Sequence, residues 1–242
     1  MNIQQLGFTD FFELQLQNIQ TEASTKIVGR ITLEHKHSYR VLTEQGEWLA
    51  SVSGNFAYRA FSRKDYPAVG DFVLVEQMPG EERAIIHHLF ERKSKFIRKM
   101  AGLEIDEQIV VANVDIVFLV MSLNADFNIR RLERYIIAAW DSGAKPVIVL
   151  TKSDLCEDVS AFVEEVETIA FGVEVIVVSA VTNEGIEQLE QMLTEGVTAA
   201  LIGSSGAGKS TSWLSVYGTR QTRVMSLAES RFRIPKAFST RL

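Results

Sequence analysis

At 242 residues the chain has room for one and a half to two domains of roughly 150 residues each. With 46% hydrophobic, 23% charged and 9% aromatic residues it has the composition of a globular chain, which excludes disorder throughout. Cys156 is the single cysteine, which excludes an internal disulfide and a cysteine-rich zinc module. The net charge of −6 is uneven, at +1 over residues 1–100, −13 over 101–200 and +6 over 201–242. A balance that changes sign between segments is a signal in itself. No apolar run reaches the roughly 18 to 20 residues that cross a bilayer. Residues 1–10 have no basic n-region and no apolar h-region, so no membrane association and a cytoplasmic location are expected.

In residues 1–25, Phe8, Phe11, Phe12, Leu14 and Leu16 predict a helix or an arm packed on the strands of the next segment. Residues 26–92 are short alternating runs punctuated by turns. Residues 26–33, 39–42, 48–52, 70–75 and 83–86 read as strands, with Glu44-Gln45-Gly46 as a hairpin turn and Pro79-Gly80 in a loop. Five short strands at this spacing predict a small β-barrel of the oligonucleotide-binding (OB) type. Trp48 reads either as a base-stacking residue or as barrel core. His35 and His37 share one strand face, but without a third ligand an exposed barrel surface is the preferred reading.

Residues 93–112 read as a basic linker. Residues 92–99 hold five basic positions among eight, with Phe96 between them. This is either a phosphate-contacting stripe or a solvated connection.

Over residues 113–218 the grammar changes to alternating β and α. Residues 116–121, 147–150, 175–178 and 199–202 are apolar runs of the kind buried on both faces of a sheet. Between them lie helical stretches: Ile129, Leu132, Ile136 and Ile137 ending at Gly143; a helix capped by Asp158; and Ile186, Leu189, Met192 and Leu193 ending at Gly196. The order predicts a parallel sheet with helices on both faces.

Three motifs follow predicted strands of this sheet. Gly203-Ser204-Ser205-Gly206-Ala207-Gly208-Lys209-Ser210 matches the phosphate-loop pattern at every fixed position, followed by Thr211. Its glycines let amide groups face phosphate oxygens, Lys209 reaches the β and γ phosphates, and the Ser210 hydroxyl ligates Mg2+. Thr151-Lys152-Ser153-Asp154 resembles the [NT]-K-x-D guanine motif of GTPases. Guanine presents two adjacent N–H donors, and the Asp154 carboxylate accepts both, while the Lys152 stem lies along the base. Ser179-Ala180 resembles the element whose backbone amide contacts guanine O6. Ligands of open α/β sheets lie off the carboxyl ends of the strands, where all three sit. Cys156, just after the guanine motif, reads as a packing residue.

The base-reading motifs precede the phosphate loop, the reverse of the usual GTPase order. This permuted order behind an OB-like barrel resembles the bacterial small-ribosomal-subunit biogenesis GTPases, over roughly residues 25–211, including Gly70-Asp71 and Asn113-Val114-Asp115. The resemblance implies GTP and GDP with Mg2+ as ligands, GTP hydrolysis stimulated by the small subunit, rRNA contact through the barrel and a role in late maturation of that subunit, and a monomer is expected.

In that family the phosphate loop is followed by a threonine-bearing switch, a D-T-P-G motif and a zinc module. Here no aspartate follows Asp158, no cysteine follows Cys156, and no histidine follows His88. No catalytic residue is therefore assigned, and the zinc ligands expected from the resemblance are absent. Residues 219–242 read as an aberrant basic tail of a truncated or frameshifted chain, leaving the GTPase domain incomplete, its sheet edge exposed and the protein less stable. The other frames of the coding DNA test this. Two further readings stand beside a GTP-binding protein: a catalytically dead remnant acting at most as an rRNA-binding OB module, and a P-loop kinase or ATPase. Asp154 counts against the last, because adenine lacks the donor pair.

Overall fold

In the computed structural model, which describes residues 2–19, 26–35, 38–99, 107–209 and 223–228, the alternating runs of the first third close into a barrel. Its strands are β1 (Ile27–His35), β2 (Ser38–Thr43), β3 (Gly46–Val52), β4 (Phe72–Gln77) and β5 (Arg83–Leu89). They run in the order β1-β2-β3-β5-β4, and β1 closes on β4 with Ile27 opposite Val75. Only β3 and β5 pair in parallel. Ile31, Val41, Trp48, Val73, Val75 and Ile86 fill the interior, so Trp48 is core and not a stacking platform.

Helix α1 (Asp10–Asn18) seats Phe12 against Phe8, Phe72 and Phe90 on the outside of the barrel wall. The N-terminal aromatics are thus a packed arm. Ser53 caps the short helix α2 (Gly54–Arg59) by accepting from the Phe56 amide.

Most of the basic run is strand. Lys95–Lys99 (β6) and Glu107–Ala112 (β7) pair as an antiparallel ribbon, with Phe96 and Val111 buried. Arg92 is taken up inside the unit. Its guanidinium donates to both oxygens of the fully buried Asp71, at 2.6 to 3.1 Å. Burial pushes the Asp71 carboxyl up, and Arg92 opposes that push. Arg30, also buried, donates to the carbonyls of Leu6, Gly70 and Asn113.

The chain falls into two compact units, Met1–Val114 and Asp115–Leu242. The second is a five-stranded parallel sheet in the order β10-β9-β8-β11-β12. In chain order it runs β8 (Ile116–Ser122), α3 (Ile129–Ser142), β9 (Lys145–Thr151), α4 (Val159–Glu167), β10 (Glu174–Val178), α5 (Ile186–Met192), β11 (Thr198–Gly203) and β12 (Arg223–Ala228). The helices start where their caps predict. Asn128 accepts from the Arg131 amide and Asp158 from the Ala161 amide. α3 stops at Gly143, which takes a left-handed φ of 85°. Phe118, Val120, Val149, Ile176 and Leu201 build the core on one sheet face with α5.

β12 lies in the stretch read as an aberrant tail. It pairs in parallel with β11, Thr198 opposite Arg223 through Gly203 opposite Ala228, and covers the edge of β11 that the sequence reading left open. Its apolar residues Val224, Met225 and Leu227 are outnumbered in the tail by basic ones, which hides the strand from a count of charge.

Candidate guanine-nucleotide site

Chain order turns back between β8 and β11. From β8 the sheet grows outward through β9 to β10, then returns to place β11 on the other side of β8. Such a reversal opens a crevice beyond the carboxyl ends of the two strands. The phosphate loop leaves β11 there. Gly203 is its last strand residue, and a Cβ on it would stand 2.5 Å from the Val120 carbonyl of β8, so only glycine fits. Gly206 and Gly208 take φ of 81° and 84°, which turn successive amides toward one side. Gly206 has no atom within 4 Å of where its Cβ would be, so that side is open. Ser205 and Gly206 are exposed, while Ser204 and Ala207 are buried and anchor the loop. Lys209 lies back across the loop, its amine donating to the carbonyls of Gly203 and Ser204. Ser210 and Thr211 lie outside the described residues.

The guanine motif leaves β9, which lies on the other side of β8 from β11. The Thr151 hydroxyl donates to the Ala207 carbonyl at 2.7 Å, tying the segment after β9 to the phosphate loop. Lys152 turns the chain with a left-handed φ of 64°, and Ser153 to Leu155 form one 3-10 turn that leaves Asp154 exposed. At the end of β10 the Ser179 hydroxyl donates to Asp154 Oδ1 at 2.6 Å and accepts from the amides of Val181 and Thr182. Ala180 follows at the turn. The structure thus brings together all the sequence-predicted residues it describes, from Thr151 to Asp154, Ser179, Ala180 and Gly203 to Lys209.

Three more residues belong to the site and carry no motif of their own. Glu184 accepts from the Ser153 hydroxyl at 2.7 Å, bracing the guanine motif from the loop after β10. Asp126, after β8, accepts from the Ser204 hydroxyl, and Arg131 donates to both its oxygens at 3.2 Å. The Ser204 bond and the Arg131 guanidinium hold the Asp126 carboxyl below the usual carboxylate range.

A parallel sheet whose phosphate loop follows its base-reading strands, preceded in the chain by an OB-type barrel, defines the class of circularly permuted P-loop GTPases. The family model described as RsgA GTPase matches residues 89–233, more than half of the chain and into the basic tail. The chain belongs to the RsgA GTPase family. It is 44% identical over 230 residues to the small ribosomal subunit biogenesis GTPase RsgA 2 of Listeria monocytogenes, covering 95% of this chain and 62% of that protein. It is 43% identical over 211 residues to the protein of the same name from Lactiplantibacillus plantarum, covering 87% of this chain and 58% of that one. The chain therefore spans about 60% of the length of these curated relatives. The crystal structure of YjeQ from Thermotoga maritima superposes with a TM-score of 0.65 at 26% identity, covering 81% of this chain and 66% of that one. YloQ, described as a circularly permuted GTPase, shares the fold with a TM-score of 0.60 over 78% of this chain and 63% of its own.

Proposed function

We propose that this chain binds GTP and GDP together with Mg2+ and serves as a ribosome-associated GTPase in late maturation of the small ribosomal subunit, converting GTP to GDP in the cytoplasm as a monomer. The observation that carries the nucleotide reading is the Ser179–Asp154 hydrogen bond, which joins two base-reading elements one strand away from a phosphate loop with an open face. Thr151 to Asp154, Ser179 and Ala180 bind the guanine, and Gly203 to Thr211 bind the phosphates. Ser210 would hold Mg2+, and the ion when bound would screen the charge of the phosphates. The relatives' names supply the ribosomal role, and the OB-type barrel is the natural surface for rRNA.

The test is co-sedimentation with purified small subunits. The chain is expected to pellet with them more strongly with a non-hydrolysable GTP analogue than with GDP. Equal recovery in the supernatant with both nucleotides overturns the ribosomal role. A second reading, a silent nucleotide binder acting through its barrel, is favoured by the absence of any aspartate after Asp158. On that second reading, turnover by this chain stays near zero with subunits present. Stimulated turnover like that of a relative of full length excludes the silent reading.

A further inference from the structure

The loop from Asn124 to Asn128 follows β8, meets the phosphate loop through Asp126 and is braced by its own hydrogen bonds. Asn124 Oδ1 accepts from the Ser122 hydroxyl at 2.9 Å and from the Asp126 amide at 3.0 Å. The Phe127 amide donates to the Asn124 carbonyl, and the Phe127 ring packs edge-on against Phe162 of α4 at 4.7 Å. Asn128 caps α3, whose first turn presents Arg131 back to Asp126. The carboxylate is therefore held from the Arg131 side, and it accepts from one group of the phosphate loop, the Ser204 hydroxyl.

Ser204 is buried, and both its ends are engaged. Its hydroxyl donates to Asp126 and its carbonyl accepts from the Lys209 amine and the Ala207 amide. Asp126 thus reaches the phosphate-binding lysine through a single intervening residue. A carboxylate beside a polyanion site ordinarily repels the ligand. Here Arg131 pairs with it, and Lys152 adds positive charge nearby, so the hydrogen bond is kept and the net field is small.

We infer that Asp126, clamped by Arg131, is a positioning residue for the phosphate loop, holding Ser204 and through it Lys209 in the geometry that takes a guanine nucleotide's phosphates. This rests on the nucleotide reading above.

The test is equilibrium binding of GDP, a GTP analogue and guanosine to the 242-residue chain and its Asp126→Ala, Ser204→Ala and double variants. Each single change is expected to weaken GDP and GTP-analogue binding about tenfold, the low end for losing a hydrogen bond to a charged group. The double variant is expected to be no worse than the weaker single, because both remove the same bond. Guanosine has no phosphate, and its affinity is expected to hold within about twofold. Asp126→Asn, which keeps shape and an acceptor, gives an intermediate loss and serves if Asp126→Ala fails to fold. Unchanged GDP affinity in the single variants, multiplying losses in the double, or a parallel fall in guanosine affinity each overturn the positioning role. Failure of the wild-type chain to bind GDP overturns the nucleotide reading itself, a distinct result from binding that the variants leave intact.

Discussion

Replacing Asp154 by asparagine changes one atom pair at the point where the base is read. Oδ1 already accepts the Ser179 hydroxyl at 2.6 Å. An asparagine keeps that bond by turning its carbonyl oxygen to Ser179, and its amide nitrogen then faces the two N–H donors of guanine. Both base contacts are lost, and a donor meets donors. A hydrogen bond to a charged group is worth about 1.5 to 3 kcal/mol. Asp154 is exposed, so the low end applies to each. The sum, about 3 kcal/mol, corresponds to a GDP affinity at least a hundredfold weaker. Xanthine carries a carbonyl where guanine carries its 2-amino group, and it gives the new amide an acceptor. Fluorescent-nucleotide titration of wild type and Asp154→Asn with GDP and xanthosine diphosphate reads both effects. The expected result is a loss of GDP and a gain of the xanthine nucleotide. An Asp154→Asn chain that binds GDP as wild type does refutes the assignment of Asp154 as the guanine reader.

Other consequences are as direct. Gly203→Ala drives a Cβ to 2.5 Å from the Val120 carbonyl between two paired strands, and is expected to cost about 2 to 3 kcal/mol by thermal or urea unfolding; an unchanged midpoint contradicts it. Arg92→Ala leaves Asp71 fully buried without its ion-pair partner, for an expected loss of about 3 to 5 kcal/mol read by urea unfolding. The Asp126 carboxyl sits below its ordinary value of 3.8, so its contribution is present above that value and is lost only as pH falls through the lowered one. The ratio of wild-type to Asp126→Ala affinity for GDP is therefore expected to stay flat between about pH 8 and pH 5, and a titration inside that window counts against the assignment.

Much of this was legible in the chain because its periodicities are clean. Barrel strands showed as alternation, and the parallel strands as unbroken apolar runs that end at their motifs. The residues that reading missed are made by pairing over distance. Asp126 and Ser204 lie 78 positions apart and meet because β8 and β11 are neighbours in the sheet. Ser153 and Glu184 meet across β9 and β10 in the same way. The basic run hid its strand and its buried contacts for another reason. Its lysines and arginines dominate the composition of 92–99, yet Phe96 packs inside and Arg92 is committed to Asp71. Charge counting sees the number of cations and not where their partners lie. The same blindness concealed β12 within the basic tail.

The central claim is that this chain is built to hold a guanine nucleotide. Its most direct measurement is competition between GDP and ADP for the purified 242-residue chain in the presence of Mg2+. GDP is expected to displace a fluorescent guanine nucleotide, and ADP to need a concentration about a hundredfold higher for the same displacement, roughly the discrimination expected from two hydrogen bonds to Asp154. Equal displacement by both nucleotides, or no binding of either, contradicts it.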